Sequence, residues 1–336
     1  MSKKSKAKRG IGCFLLGVLI GGAFVVYKFN DNLKPTSASP AKLVRYDAKQ
    51  PLSTILHDLE EKGIIRSASA TGLYARIKKK ETIVEAGTYS VAAGMSADEI
   101  LKALRTPVTV KVTIPEYYWA AETAKVMEEK EVAKADDYIA EVGKPKDFAK
   151  AVDFPLPANS LEGYLFPDTY KIQPLVGAKA AIAQQLEAFE KRVWKGLNEP
   201  KNLNRAVIVA SMVEREAKLD DERPIIASVI ENRLSKGMPL EIDATVLYAQ
   251  QRWHEPTRAD IRNTISPYNT YLNKGLPPGP ICSPGLKSIK AALNPAKTDY
   301  LYYVAMPDGK TLFAKTLPEH NANVAKRHAA LRRARR

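Results

Sequence analysis

A carboxyl group on an apolar helix face is the feature of this sequence best suited to acid–base chemistry. Residues 205–218 are predicted to be helical, because four apolar residues recur there at helical spacing: Ile208, Val209, Met212 and Val213. The next position on that face is occupied by Glu216. Apolar surroundings penalise the ionised carboxylate and raise its pKa, as a general acid working near neutral pH requires. The pattern makes Glu216 a candidate catalytic residue.

The same pattern leaves a second interpretation of Glu216 open. An acid at a helix end can simply pair with a nearby arginine, and Arg223 follows seven residues later. The other acid on this helix, Glu214, points about 160° away from Glu216 at 100° per residue. It therefore lies on a less apolar face.

Two further clusters could contribute to a site, and the first carries residue types suited to binding a sugar. In residues 160–170, aromatic rings accompany Glu162 and Asp168. Flat rings stack on pyranose faces and carboxylates accept hydrogen bonds from hydroxyls, although a well-packed loop would have the same composition. The second cluster begins at Tyr268 and Asn269 and continues into the proline- and glycine-rich residues 275–281. Such density predicts a rigid loop, which either lines a site or only connects helices.

Several other chemistries lack their sequence signatures. The four histidines show no metal-ligand spacing, so no metal site is predicted. No phosphate-binding glycine loop and no serine nucleophile elbow occurs. The net charge of +15 is concentrated at the ends, with five cations in the first nine residues and six in the last eleven. Nucleic-acid binders more often place a basic stripe on a folded face, so no nucleic-acid partner is expected.

The elements that must position these residues begin with an apolar stretch. Residues 11–27 contain no charge, and as a helix they would measure about 26 Å, the short end of a membrane span. The basic residues 1–10 are predicted to stay in the cytoplasm, which places the rest of the chain outside the membrane. Residues 28–43, rich in proline, serine and alanine from Asp31 onwards, are predicted to be a linker.

The remainder is predicted to be an α+β protein in two parts. A small part at residues 44–107 begins with a strand at 43–46 and continues with helices at 51–62, near 70–79 and at 96–105. The larger part, residues 108–336, begins with a strand at 108–114 and is mainly helical from Ala178 onwards. Its clearest helices are 202–218, 221–236 and 285–294, and a hairpin is expected around Asp308-Gly309.

Together these clusters resemble the endolytic murein transglycosylase (YceG-like) family over the whole chain. The matching segments, in family order, are Leu161-Glu-Gly-Tyr-Leu-Phe-Pro-Asp-Thr-Tyr170, Ala210-Ser-Met-Val-Glu-Arg-Glu216, Glu222-Arg223, Asn232-Arg-Leu234, Gly237-Met238, Asp243, Tyr268-Asn-Thr-Tyr271 and Gly275-Leu-Pro-Pro-Gly-Pro280. The resemblance implies a short membrane anchor, a small LysM-like α+β region and a mainly helical, lysozyme-like catalytic domain with short β elements. Two departures occur: Asp243-Ala244-Thr245 stands where the family usually has Asp-Pro-Thr, and Pro115-Glu116-Tyr117 where it has Pro-Glu-Gly.

The resemblance also implies a chemistry and its residues. The expected reaction cuts the bond between N-acetylmuramic acid and N-acetylglucosamine without water and closes a 1,6-anhydro ring, with Glu216 as acid and then base and no cofactor. Candidates for binding substrate or orienting Glu216 are Glu162, Glu214, Asp243, Tyr268 and Asn269. Expected partners are peptidoglycan strands, the bacterial inner membrane and the wall-synthesis and division machinery. Two rivals stay open: a hydrolytic muramidase with Glu162 or Asp243 as second carboxylate, and a non-catalytic peptidoglycan-binding scaffold.

Overall fold

The computed structural model describes the backbone of residues 3–37, 39–254 and 256–334, with side chains from residue 16 to residue 333 apart from the two gaps. The described chain divides into two compact units. The first comprises residues up to Val110 together with 173–176, and the second comprises residues 111–172 and 177–336. Helices and short two-stranded sheets occur in both, so the predicted α+β class is confirmed.

The first unit has a core of two strands and three helices. Its elements, in order, are α1 (Lys3–Asn32), β1 (Lys42–Tyr46), β2 (Gln50–Pro51), α2 (Leu52–Glu61), α3 (Ala68–Ile77), β3 (Ile83–Val84), β4 (Gly87–Val91) and α4 (Ala97–Ala103). β1 pairs antiparallel with β4, and β2 with β3. The predicted strand and all three predicted helices are confirmed to within about two residues. The Ser96 hydroxyl and the Glu99 carboxylate cap α4 reciprocally.

Two details of this unit differ from the pattern in the sequence. The segment predicted as a linker, residues 28–43, is helical up to Asn32, and Thr36 donates hydrogen bonds to the carbonyls of Ile64 and Ala93. Residues 173–176, far away in sequence, join the unit because the Gln173 amide oxygen accepts from the Thr88 N–H at 3.2 Å. Nothing local in residues 173–176 signals this pairing.

Helix α1 contains the apolar stretch predicted to span a membrane. Among the described residues, no helix is both long and apolar enough to cross a membrane. Part of the predicted span, residues 11–15, lies outside the described side chains.

The second unit is mainly helical. Its helices are α5 (Ala120–Glu129), α6 (Ala135–Val142), α7 (Ala178–Phe189), α8 (Leu203–Glu216), α9 (Arg223–Ser235), α10 (Asp243–Gln250), α11 (Arg258–Asn263), α12 (Leu286–Leu293) and α13 (Leu317–Ala334). Short helical turns lie at Pro145–Phe148, Glu190–Trp194, Lys195–Leu197 and Asp220–Glu222. Its strands are β5 (Val110–Thr113), β6 (Thr169–Ile172), β7 (Tyr302–Ala305) and β8 (Thr311–Ala314). The three helices and the Asp308-Gly309 hairpin expected from the sequence are all present.

Helix α8 lies at the centre of this unit. It contacts α9, α10 and α12, and all residues from Ala206 to Glu214 are buried. Its four stripe residues belong to one apolar cluster with side chains from α9, α10 and the loop before α12: Ile226, Ala227, Ile230, Leu240, Ile242, Ala244 and Ile281. A helix buried on nearly every side is held in a fixed orientation, and this orientation determines where its last residue, Glu216, is presented.

One glycine fixes how closely the 160–170 loop packs against α8. Gly163 has φ of +83°, and a Cβ there would lie 2.5 Å from Pro280 Cβ and 2.9 Å from Val207 Cγ1. We expect Gly163→Ala to lower the free energy of unfolding by about 2–5 kcal/mol, from left-handed backbone strain and overpacking together. Urea denaturation followed by tryptophan fluorescence measures this, because Trp119, Trp194 and Trp253 all lie in this unit.

The matched control is Gly237→Ala, since Gly237 has φ of +62° but no atom within 4 Å of a Cβ. Only the backbone cost, about 1 kcal/mol, should appear there. Equal losses in the two variants would show that the close approach to Pro280 does not matter.

Candidate active site

Glu216 is the last residue of α8, at the point where this helix leaves the core. The apolar stripe predicted from the sequence is confirmed, because Ile208, Val209, Met212 and Val213 are all buried. Glu216 itself is only partly buried. The stripe therefore carries the carboxyl group to the wall of a cavity instead of leaving it inside the packed core.

The cavity has a volume of about 450 Å³ and is built from six parts of the second unit. Its walls are formed by helices α8 and α9, the start of α10, the loop that contains Tyr271, the β7–β8 hairpin and α13. The lining residues are Glu216, Arg233, Leu240, Glu241, Asp243, Tyr271, Tyr303, Val304, Ala305, Thr311, His320 and Arg327. A concave site with a few convergent polar groups is the usual form of a binding or catalytic site.

The environment of Glu216 sets its acidity near neutral pH. Removal from water raises the pKa of Glu216 to about 7, and the negative charge of Asp243 acts in the same direction. A hydrogen bond from the Tyr303 hydroxyl to Glu216 Oε2, 3.1 Å long, and the positive charge of Arg215 act in the opposite direction. A carboxyl group with this pKa is about half protonated at neutral pH, so it can both donate and accept a proton there.

Asp243, a second predicted residue, lies in the same cavity as Glu216. It is the first residue of α10, and the Tyr271 hydroxyl donates to Asp243 Oδ1 at 2.7 Å. Its Coulombic effect on Glu216 shows that the two carboxyl groups interact. Of the six predicted site residues, only Glu216 and Asp243 line this cavity.

Glu214 belongs to a buried ion pair away from the cavity lining. Its Oε1 accepts from Arg223 Nη1 at 2.8 Å, and its Oε2 accepts from the Gly285 N–H at 2.9 Å. The interpretation of Glu216 as the partner of Arg223 is therefore wrong, because this arginine binds Glu214 and Asp220. Glu214 joins α8 to α9 and to the start of α12.

Glu162 forms a second buried carboxyl site outside the cavity lining. Its Oε2 accepts from the Ala120 N–H at 3.0 Å and from the Tyr248 hydroxyl at 3.4 Å. Burial raises the pKa of Glu162 to about 7, although the hydrogen bonds from Ala120, Gly163 and Tyr248 lower it. Within the described part of the chain, Glu162 Oε1 has no hydrogen-bond partner.

The two predicted residues of the 268–271 loop hold the loop in place. The Asn269 amide is fully buried, donates to the carbonyls of Ile261 and Thr264, and accepts from the Tyr271 N–H at 3.0 Å. The Tyr268 ring packs on Tyr248, with 4.9 Å between ring centroids. The residue of this loop that reaches the cavity is Tyr271.

Pattern reasoning missed seven polar or charged residues of the cavity: Arg233, Glu241, Tyr271, Tyr303, Thr311, His320 and Arg327. Arg233 and Tyr271 lie in segments that the sequence analysis had already quoted. The others come from the loop before α10, the β7–β8 hairpin and α13, whose approach to Glu216 depends on long-range packing. In the chain outside the gaps, no group of three metal-binding side chains is close enough to hold an ion.

Comparison with known proteins supplies a family for this arrangement. The sequence profile described as the YceG-like family matches residues 44–326. The chain belongs to the YceG-like family. A crystal structure of a YceG-like protein from Listeria monocytogenes is 33% identical, has a TM-score of 0.58, and covers 84% of this chain and 98% of that one.

Two curated relatives are named endolytic murein transglycosylase. The protein from Bacillus subtilis is 33% identical over 325 residues, which cover 90% of this chain and 89% of the relative. The protein from Streptococcus pneumoniae is 32% identical over 348 residues, or 92% of this chain. The chain spans 63% of the length of the S. pneumoniae relative.

The raised pKa of Glu216 makes a testable contribution to stability. The pKa is about 7 in the folded protein against a usual 4.5, so folding favours the protonated form. The stabilising contribution is complete below pH 4.5 and is lost as the pH rises through 7. We therefore expect Glu216→Gln to leave unfolding nearly unchanged at pH 4 and to stabilise the protein at pH 8, by on the order of 2–3 kcal/mol. Urea titrations at both pH values measure this.

Glu214→Gln is the control on the same helix. It breaks the buried pair with Arg223, so it should destabilise the protein at both pH values, by about 3–5 kcal/mol. A Glu216→Gln effect that is identical at pH 4 and pH 8 would contradict the burial of the Glu216 carboxyl.

Proposed function

We propose that this protein is an endolytic lytic transglycosylase that cuts peptidoglycan glycan strands between N-acetylmuramic acid and N-acetylglucosamine. The observation that carries the proposal is a carboxyl group, Glu216, with a pKa of about 7 on the wall of an open cavity. The curated relatives that bear this name, at 32–33% identity over about nine tenths of the chain, support the substrate.

A single carboxyl group can serve both steps of this reaction. Protonated Glu216 donates its proton to the glycosidic oxygen, the bond from that oxygen to muramyl C1 breaks, and the sugar becomes an oxocarbenium-like cation. The muramyl C6 hydroxyl then attacks C1 and returns its proton to Glu216, which closes the 1,6-anhydro ring. No water is consumed, and Glu216 ends in the state in which it began.

The neighbouring groups fit these roles. The Tyr303 hydroxyl donates to Glu216 Oε2 and so fixes the position of the carboxyl group. Asp243, held by Tyr271, places a second carboxylate on the cavity wall, where a negative charge stabilises the cationic sugar. Glu162, Glu214, Tyr268 and Asn269, which do not line the cavity, act in this proposal by holding the loops and helices around it.

A hydrolytic muramidase is the second candidate, and one observation favours it. Glu216 and Asp243 share a cavity, as the acid and the second carboxylate of a glycoside hydrolase do. In that case Asp243 would activate water or attack the sugar, and the product would carry a free reducing end.

Variants of the two carboxyl groups separate these candidates. We expect Glu216→Gln to reduce cleavage of purified glycan strands by about 10⁴-fold or more, since the amide can neither donate an acidic proton nor accept one. Asp243→Asn should lose less, because its proposed role is electrostatic. Mass spectrometry of the wild-type products should find ends lighter by one water than hydrolytic ends.

Hydrolytic ends together with an inactive Asp243→Asn variant would establish the muramidase instead. The third candidate, a peptidoglycan-binding scaffold, predicts strand binding with no cleavage by the wild-type protein.

The proposal includes a LysM-like first unit. The order strand, helix, helix, strand in β1, α2, α3 and β4, with the outer strands antiparallel, supports this assignment. It also includes nascent strands as substrate, so that cleavage ends elongation, and the wall-synthesis and division machinery as partners.

The proposed location is the bacterial inner membrane, with residues 11–27 as a single span, residues 1–10 in the cytoplasm and the catalytic domain outside. Support comes from the charge-free stretch and the basic residues before it. In α1, the apolar side chains from Leu16 to Tyr27 are exposed, Leu19 by 69% and Val25 by 66%. Exposed apolar surface of this extent is costly in water.

We expect the full-length protein to sediment with membranes and to resist extraction by high salt and alkali. Added protease should degrade the second unit in spheroplasts but not in intact cells. Recovery in the soluble fraction, or protection in spheroplasts, would contradict this location.

A further inference from the structure

Helix α13 brings two nitrogen-bearing side chains to the cavity that contains Glu216. His320 and Arg327 both line it, and because seven residues make nearly two full turns, they lie on one face of the helix. The helix packs on strands β7 and β8, the hairpin that carries Tyr303. The proposed chemistry uses neither residue.

The two arginines of the cavity differ in what binds them. Arg233 Nε donates to the Leu301 carbonyl, and its Nη1 donates to the carbonyls of Pro239 and Leu240 and to Glu241 Oε2 at 2.9 Å, so these two nitrogens serve the fold. Arg327 is half-buried in the cavity wall, and among the described side chains, residues 16–333 apart from 38 and 255, it has no carboxylate within ion-pair distance, although Glu216, Glu241 and Asp243 line the same cavity. A guanidinium on a concave wall that makes no such ion pair favours an anionic ligand.

His320 adds a stacked imidazole ring to the same wall. Its ring stacks on Tyr302, with 5.3 Å between centroids, and its Nδ1 is buried with no hydrogen-bond partner among the described residues. Burial, followed by the charge of Arg233, lowers the pKa of His320, so the ring is neutral at neutral pH. It can therefore offer a hydrogen bond but not a second charge.

We propose that Arg327, with His320 beside it, binds a carboxylate on the 3-O-lactyl substituent of the muramyl residue being cut. This inference rests on the proposed function. Muramyl residues carry the lactyl ether and N-acetylglucosamine residues do not, so a carboxylate site on one wall distinguishes the two alternating sugars. This carboxylate site would position the strand so that C1 of the muramyl residue faces Glu216, and C1 of the neighbouring N-acetylglucosamine does not. The carboxylate belongs either to the stem peptide or, on strands without peptides, to the lactyl group itself.

The test combines removal of the Arg327 charge from the protein with removal of the carboxylate charges from the substrate. Arg327→Gln and wild-type protein act on three kinds of strand: with stem peptides, stripped by an amidase to free lactyl groups, and with all carboxylates converted to methylamides. The control variant is Lys326→Gln, which removes the same charge from the adjacent exposed position outside the cavity lining. kcat and KM are measured separately for each pair.

We expect Arg327→Gln to raise KM at least about tenfold on charged strands, as loss of a charge-assisted hydrogen bond does, with a smaller change in kcat. On neutralised strands, the wild-type protein and the variant should have the same high KM. Lys326→Gln should match the wild type throughout. A loss on peptide-bearing strands alone identifies the stem carboxylate, and a loss on stripped strands alone identifies the lactyl carboxylate.

Equal losses on charged and neutral strands, or no loss on any, would overturn the proposal. Strand binding is also measured by calorimetry in the Glu216→Gln background, with and without Arg327→Gln. If the wild type cuts no strand, the proposed function fails, while the carboxylate site stands or falls on whether Arg327→Gln weakens binding of charged strands only.

Discussion

Removal of the Glu216 carboxyl group from water is the interaction on which the chemistry proposed for this protein depends. The shift of its pKa from about 4.5 to about 7 corresponds to roughly 3 kcal/mol of preference for the neutral form. Such a penalty persists only where the surrounding structure keeps the group in place. Burial of α8 from Ala206 to Glu214 provides this, because the helix cannot turn to release its last side chain without opening the core.

The same helix holds a second glutamate in the opposite situation. Glu214 lies two residues before Glu216, yet it pairs with Arg223 and accepts the Gly285 N–H. The 100° step of an α-helix separates the two environments, so that one carboxylate joins three helices while the other faces the cavity. Both are buried to some degree, and the partner decides which is structural and which is a potential acid.

The sequence contains the local part of this arrangement and omits the long-range part. Periodicity predicted the helices and the stripe that ends at Glu216, and the Asp308-Gly309 turn predicted the hairpin, because each depends on neighbours within a few residues. Residues 173–176 and the cavity residues Tyr303 and Arg327 could not be found in this way. Their positions depend on packing between elements up to about a hundred residues apart, which no local pattern encodes.

The candidate residues that were chosen by residue type also differ in whether they line the cavity or hold the structure around it. Glu162, Tyr268 and Asn269 are chemically plausible for a sugar, but the structure uses the Asn269 amide to hold its own loop and Glu162 to accept the Ala120 N–H. A polar side chain in a family motif can hold the structure in place instead of contacting a ligand, and only the contacts of that side chain distinguish these two roles.

The β7–β8 hairpin connects the stability of the fold to the acidity of the site. Burial raises the pKa of Glu216, whereas a fully hydrated carboxyl would be ionised at neutral pH. The Tyr303 hydroxyl opposes burial, while the Asp243 charge reinforces it, and the balance lies near neutral pH. In the proposed reaction one group gives a proton in the first step and takes one in the second, so a pKa close to the working pH would serve both steps. The hairpin, which packs on α13 and α9, therefore helps to set the pKa of Glu216 through Tyr303.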